Sequence, residues 1–117
     1  MRVIIQRNTS YFAETGQANG YLVISDKEHP WFGKHYDNID VEVHGGLTYS
    51  EPIERQEVDC FDELTDDDIG SWLIGFDTCH SGDTKERWTV ENVRQHARSH
   101  MLNITIFAKD GINNYGC

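Results

Sequence analysis

Two short polar segments hold four side chains whose chemistry suits a metal ion. His44 stands before two glycines, and Asp77, His80 and Asp83 lie in the stretch FDTCHSGD that follows an apolar run. Imidazole nitrogens and carboxylate oxygens together suit zinc, manganese or iron, whereas magnesium and calcium prefer shells of oxygen alone. A metal ion with an open coordination position activates water for hydrolysis. The four residues therefore predict a transition-metal site, for example for zinc, and a small metal-dependent hydrolase as one function.

A structural role for the same residues stays open beside the metal site. An Asp that follows a strand often accepts hydrogen bonds from backbone N–H groups in a turn, and a buried His can bridge two backbone segments. Asp77, His80 and His44 would then form a satisfied polar network that fixes two turns. The spacing D-x-C-H-x-x-D also differs from metal motifs with a defined mechanism, such as HExxH. Both interpretations are compatible with the sequence.

Other reactive side chains suit a site less well. Cys79 and His80 are neighbours in the sequence, and neighbours on an extended segment point to opposite faces, which disfavours a nucleophile with its base. His96 and His100 have the i, i+4 spacing that can chelate a metal, but no further ligand is near them in the sequence. We therefore expect these two histidines on a solvated face of a C-terminal helix.

The length and composition favour one intracellular domain. The chain has 117 residues, which suits a single domain spanning 1–117. It contains no apolar run long enough to cross a bilayer, and its start, MRVIIQRNTSYF, lacks the apolar core of a signal peptide. Its three cysteines show no CxxC spacing, so reduced thiols are expected. These features predict a soluble cytoplasmic protein without a membrane partner.

The charge of the chain favours a protein partner over nucleic acid. Twenty acidic and ten basic residues give a formal net charge of −10, and phosphate contacts would need clustered Lys and Arg. Acids concentrate in EVDCFDELTDDD, where Thr65 can cap a turn formed by three aspartates. The residues predicted to bind a partner with a basic surface are Glu57, Asp59, Asp62, Glu63, Asp66, Asp67 and Asp68. Alternatively, this segment serves solubility alone.

Apolar segments rich in branched and aromatic residues predict the strands. The predicted strands are Arg2–Gln6, Tyr21–Ser25, Ile39–His44, Leu47–Ser50 and Ser71–Phe76. Apolar and polar residues alternate in Ile39–His44, which indicates one face on the core. Ser71–Phe76 is apolar on both faces, which indicates a central strand. If these two strands are neighbours, His44 lies close to the turn at 77–83.

The C-terminal part predicts one amphipathic helix. Thr89 can cap its N-terminus, and Trp88 can pack on Val93 as a hydrophobic staple. Helical spacing of apolar residues continues to near Gly111, although residues 102–109 also fit a strand. The predicted fold class is α+β, with a small, mainly antiparallel sheet packed against one C-terminal helix.

Two blocks of the sequence resemble a family of small uncharacterised proteins encoded by bacteriophages and prophages. The blocks are HGGLTYS, at His44–Ser50, and WLIGFDTCHSGD, at Trp72–Asp83, which fits the family pattern WxIGFDxxHxGD. Thr78-Cys79 stands where relatives have Cys-Ala, and the acidic segment is longer here. The resemblance implies a phage-type accessory protein that binds a host protein, with inhibition of a defence nuclease, of the anti-CRISPR or anti-restriction type, as the expected effect. Electrostatic complementarity would speed such binding.

Overall fold

The computed structural model describes residues 1–9 and 14–103. Four strands form one antiparallel sheet in the order β1-β2-β4-β3. The strands are β1 (Arg2–Arg7), β2 (Ala18–Ile24), β3 (Tyr49–Pro52) and β4 (Trp72–Phe76). The helices are α1 (Arg55–Cys60) and α2 (Val90–Ala97), and α2 continues into a π-helical turn at Arg98–Leu102. Short 3-10 turns lie at Tyr36–Asn38 and Asp66–Asp68. The predicted α+β fold, with an antiparallel sheet packed against a C-terminal helix, is confirmed.

Strand β4 is the centre of the fold, as its apolar composition predicted. It pairs antiparallel with β2 on one side and with β3 on the other. Leu73, Ile74 and Phe76 are all essentially buried, because consecutive side chains face opposite layers. The turn that begins at Asp77 is therefore attached to the most enclosed strand of the sheet.

An apolar layer covers each face of the sheet. On one face, the sheet residues Leu22, Ile74 and Phe76 form a cluster with the helical residues Val93, Ala97 and Met101. On the other face, the sheet residues Ile4, Tyr21 and Leu73 form a cluster with Ile53 and Leu64. Burial of this apolar surface is the main stabilising contribution to such a fold. The acidic segment therefore lies over one face and helix α2 over the other.

The prediction of a strand at Ile39–His44 is wrong. This segment is extended but forms no ladder with the described strands, and β3 lies beside β4 instead. Ile39 is nevertheless buried, and Val41 and Val43 pack against the cluster under α2. Alternation of apolar residues reports which side of an extended chain faces the core, and it carries no information about hydrogen-bonded pairing. The strand predicted at 47–50 begins two residues later, at Tyr49.

Helix α2 begins where the sequence predicted. The Thr89 hydroxyl accepts a hydrogen bond from the Asn92 N–H over 3.1 Å, and Trp88 packs against the cluster that contains Val93. The described helix ends with the π-helical turn at Leu102. The predicted end near Gly111 and the choice between helix and strand at 104–109 lie outside the described residues. In the described part of the chain, no helix has the length and apolar character needed to cross a membrane.

Candidate metal centre

Two turns bring His44, His80 and Asp83 together at one end of the sheet. One ligand atom from each of these side chains lies within 4.8 Å of the others. His44 lies in a tight turn in which the Gly46 N–H bonds the Val43 carbonyl over 2.9 Å. His80 and Asp83 lie in the turn after β4, closed by a 3.0 Å bond from the Asp83 N–H to the His80 carbonyl. Three of the four predicted ligands therefore converge, although Ile39–His44 is not a neighbouring strand.

Asp83 is the buried anion of this group. Its side chain is 5% exposed, and Oδ1 lies 2.8 Å from Nε2 of His44. Oδ2 accepts a 2.9 Å bond from the His80 N–H and lies 3.3 Å from Nδ1 of the same residue. Burial acts to raise the pKa of Asp83, but the hydrogen bonds from His80 and His44 outweigh it and hold the pKa below its ordinary value. Asp83 is therefore a carboxylate at neutral pH, the form that binds cations.

Asp77 lies behind His80 and outside the three-residue group. Its Oδ1 is 3.5 Å from Nε2 of His80 and accepts a bond from the Cys79 N–H, while Oδ2 accepts from the Thr48 hydroxyl. His80 is thus placed between two carboxylates, with Nδ1 toward Asp83 and Nε2 toward Asp77. Histidines that bind a metal usually donate their second ring N–H to a carboxylate in this way. Asp77 has the position of an orienting group.

Gly45 allows His80 to reach this position. Its φ of 70° is in the left-handed region, and a Cβ built on it would overlap the His80 imidazole. Gly46 has a similar φ of 81°, but a Cβ there would meet nothing within 4 Å. The two glycines of HGG therefore have different reasons to be glycine.

Thr78 connects the turn to the start of β2. It is fully buried, its hydroxyl donates to the Ala18 carbonyl over 2.7 Å, and its N–H donates to Oδ1 of Asn19 over 3.0 Å. These bonds hold the beginning of the turn against the neighbouring strand. Sequence reasoning treated Thr78 merely as a departure from a family pattern and missed this role.

Histidine 96 is part of the candidate site, contrary to the prediction of a solvated helix face. Its Nε2 accepts a 3.0 Å hydrogen bond from the His44 N–H, and its ring lies 4.1 Å from that of His100. Burial, followed by the nearby His100 and His44, lowers the pKa of His96 to about 4. At neutral pH His96 is therefore uncharged and able to accept this bond.

Aromatic rings join the two turns to helix α2. The Trp88 indole lies 4.3 Å from the His44 ring and 5.3 Å from the His96 ring. The His44 ring also meets that of His80 edge to face at 5.3 Å. Together with the bond from His44 to His96, these contacts hold the candidate ligands against a helix that is anchored in the core.

Cys79 is poorly suited to nucleophilic chemistry. The side chain is exposed, and Cys60 and Cys79 are both free thiols. Desolvation of the thiol, followed by the charges of Asp77 and Asp83, raises the pKa of Cys79. Since the thiolate is the reactive form, the surroundings of Cys79 disfavour it.

Three of the seven predicted partner-binding acids are bound within the chain. Glu57 is buried and its Oε1 accepts from the Glu54 N–H at the start of α1. The Glu63 carboxylate pairs with Arg94 at 2.8 Å. Asp68 is also buried, and its carboxylate receives two 2.7 Å bonds from Arg2 and one from the Thr65 N–H. Thr65 is the N-cap of the turn at Asp66–Asp68, as the sequence predicted.

The other four acids are exposed on the same segment. They are Asp59, Asp62, Asp66 and Asp67. Arg55 lies among them and pairs with Asp66 at 2.8 Å and with Asp59 at 3.5 Å. Asp62 and Asp67 form no ion pair with the described residues, so among these four acids they are the two whose charge is not neutralised by a basic side chain.

Comparisons with protein-family models, with curated proteins and with solved structures gave no match. The site must therefore be interpreted from its own geometry. Two imidazoles and one carboxylate are a donor set that zinc accepts, and tetrahedral bonds of about 2.0 to 2.2 Å would separate the ligand atoms by about 3.3 Å. The 2.8 Å between His44 and Asp83 would have to lengthen by about half an ångström to admit the ion.

Proposed function

We propose that this chain binds a transition-metal ion, zinc in the first instance, and acts as a small metal-dependent hydrolase. The ligands are His44, His80 and Asp83. The observation that carries the proposal is the convergence of their ligand atoms within 4.8 Å, around a buried carboxylate that is ionised at neutral pH. Three protein ligands on a tetrahedral ion leave one position for water, which is the arrangement of catalytic rather than structural zinc.

Each nearby residue has a defined part in this proposal. His80 binds through Nδ1, and its Nε2–H donates toward Asp77, which orients the ring. His44 binds through Nε2, and His96 holds its backbone. A zinc ion held by these residues would lower the pKa of bound water to near neutrality and would polarise the bond that is to be hydrolysed. The alternative, a purely structural polar network, uses the same contacts without an ion.

Metal analysis separates these two accounts. Protein purified without an affinity tag should contain about one zinc per chain, and zinc added at 100 times its Kd should stabilise it by about 2.7 kcal/mol. His44→Ala and His80→Ala should lose both effects. His35→Ala is the matched control, because His35 is exposed and its ring contacts Tyr36 rather than any of the three proposed ligands. Absence of bound zinc together with an unchanged melting temperature on zinc addition would eliminate the metal site.

Hydrolysis needs a separate assay. Zinc-loaded protein should hydrolyse activated esters such as 4-nitrophenyl acetate and bis(4-nitrophenyl) phosphate, and a chelator should abolish the activity. Activity that His80→Ala retains in full would arise from something other than this site. If zinc binds and neither ester is hydrolysed, the proposal reduces to metal binding without hydrolysis.

A second candidate function rests on the exposed acids. We also propose that this chain is a phage-type accessory protein that binds a basic surface of a host protein, such as a defence nuclease, through Asp59, Asp62, Asp66 and Asp67. The supporting observation is that the segment is anchored at both ends of its turn, by Arg2 with Asp68 and by Arg94 with Glu63. The exposed acids are thus held on a fixed surface, which reduces the entropy lost on binding.

Charge reversal tests the second candidate. Asp62→Lys with Asp67→Lys should weaken capture of a host protein from lysate and its salt-dependent association. Glu28→Lys with Asp40→Lys makes the same charge change at exposed positions elsewhere and serves as control. Equal binding by the two double variants would show that overall charge, rather than this surface, governs any association.

A further inference from the structure

A groove beside the candidate metal centre has the position of a substrate site. It has a volume of about 390 Å³, and its lining includes Arg87, Trp88, Asn92, His96 and His100. Two of these residues contact His44 directly. The Trp88 ring packs 4.3 Å from the His44 ring, and Nε2 of His96 bonds the His44 N–H. The groove therefore adjoins one proposed ligand, His44, through Trp88 and His96.

The lining of this groove is unusual for so acidic a chain. The protein carries 20 acidic residues, yet none of the described residues that line the groove is acidic. Arg87 is exposed, and the arginine ion pairs of the described residues involve Arg2, Arg55 and Arg94 instead. An unpaired guanidinium in an acid-free groove favours an anion, and its planar fork fits two oxygens of a phosphate.

Aromatic surface lies next to this cation. Trp88 and the stacked rings of His96 and His100 form part of the same lining. Flat ligand rings such as nucleic-acid bases stack favourably on side chains of this kind. A ligand that combines a phosphate with a flat ring would therefore use both features of the groove.

We propose that the groove binds the substrate of the hydrolase, a phosphate ester that carries a flat aromatic ring, such as a nucleotide. This inference rests on the proposed function and names its substrate class. Arg87 contacts the phosphate, and Trp88 contacts the ring. In the reaction, water oxygen forms a new bond to phosphorus, the bond from phosphorus to the ester oxygen breaks, and the leaving alcohol takes up a proton from the water.

Calorimetric titration with adenosine 5′-monophosphate, adenosine and inorganic phosphate tests the groove. The monophosphate should bind at least about tenfold more tightly than adenosine, because the Arg87 guanidinium donates charge-assisted hydrogen bonds to the phosphate alone. Arg87→Gln should weaken the monophosphate about tenfold and leave adenosine unchanged. Arg98→Gln is the matched control, since Arg98 is also exposed but lines a different surface.

One further variant, and titrations with and without zinc, distinguish failure of the groove from failure of the proposed hydrolase. Trp88→Leu should weaken both the monophosphate and adenosine, with folding checked by circular dichroism because Trp88 also packs on the core. Zinc content is measured for every variant, and titrations are repeated without zinc. The proposal that the groove binds the substrate would be wrong if protein that binds zinc normally had equal affinity for the monophosphate, adenosine and inorganic phosphate. It would also be wrong if Arg87→Gln and Arg98→Gln had equal effects. Ring-dependent phosphate binding in protein that takes up no zinc would support the groove and contradict the proposed hydrolase.

Discussion

The backbone N–H of His44 donates a hydrogen bond to Nε2 of His96 across 3.0 Å, and this bond ties helix α2 to the turn of the candidate metal centre. It crosses 52 positions of sequence and joins two segments that no strand ladder connects. The core packing of α2 therefore fixes the backbone of a proposed ligand. Several measurable consequences depend on this connection.

Removal of the His96 side chain should weaken both the fold and the site. His96→Ala leaves the His44 N–H without its acceptor, so we expect the free energy of unfolding to fall by about 1 to 2 kcal/mol. Zinc affinity should fall about tenfold or more, as for other groups that orient a ligand. Gln95→Ala, at the exposed neighbouring position, should change stability by less than about 0.5 kcal/mol. If urea unfolding gives the same free energy of unfolding for His96→Ala and Gln95→Ala, His96 does not stabilise the fold through its bond to His44.

Alanine at the two glycines of HGG should have unequal effects. Both positions have positive φ, so each substitution should cost about 1 to 2 kcal/mol through backbone strain. Gly45→Ala should cost more and reduce zinc affinity, because its Cβ displaces the His80 ring. Gly46→Ala should leave zinc affinity unchanged. Thermal unfolding and zinc titration of the pair provide the comparison, and equal zinc affinities would rule out the close approach of His80.

The Arg2 and Asp68 pair should make stability depend on pH below neutrality. The side-chain hydrogen bonds from Arg2 are the largest cause of the lowered pKa of Asp68, and they outweigh its desolvation. A carboxyl group whose pKa is lower in the folded state stabilises the fold above its unfolded pKa of about 3.9. This stabilisation disappears as the pH falls through the folded pKa.

Asp68→Asn is the corresponding variant. At pH 7 it should lower the free energy of unfolding by about 1 to 3 kcal/mol, and near pH 2 the difference from the unaltered chain should become small. Asp67→Asn, at the exposed neighbouring position without an ion pair to the described residues, should match the unaltered chain at pH 7. Denaturant unfolding at both pH values measures this. If the two chains differ in free energy of unfolding by the same amount at both pH values, the Arg2–Asp68 ion pair is not the cause of the difference.

Local patterns in the sequence predicted the elements that depend on burial and capping. The central place of β4 follows from apolar residues on both faces, and the start of α2 follows from the hydroxyl of Thr89. Ile39–His44 shows the limit of such patterns. Its alternation identified Ile39 as a core residue, but the pairing beside β4 is set by tertiary context, and Tyr49–Pro52 takes that place.

The candidate site was predictable in part. Three of the four candidate ligands lie together, and their signal in the sequence is the concentration of His and Asp around glycines, whereas the direction of Asp77 depends on the backbone of its turn. His96 had a detectable signal that we interpreted wrongly. With Val93, Ala97 and Met101 it follows the i, i+3, i+4 and i+8 spacing of the buried helix face.

Long-range ion pairs had no signal in a single sequence. Asp68 meets Arg2 across 66 positions, and Glu63 meets Arg94 across 31 positions. These two acids belong to a charge run that predicts a solvated surface. The arginines that neutralise them are recognisable as their partners only after the chain has folded.

Anomalous diffraction at the zinc edge tests the central claim most directly. Crystals of untagged protein grown with zinc should show one anomalous peak bonded to Nε2 of His44, Nδ1 of His80 and a carboxylate oxygen of Asp83, at about 2.0 to 2.2 Å. The Nε2 to Oδ1 distance between His44 and Asp83 should then exceed its present 2.8 Å. The opposite result is a well-ordered His44–Asp83 hydrogen bond with no peak between the three side chains at millimolar zinc. That result would contradict the metal centre and leave these residues as a structural network.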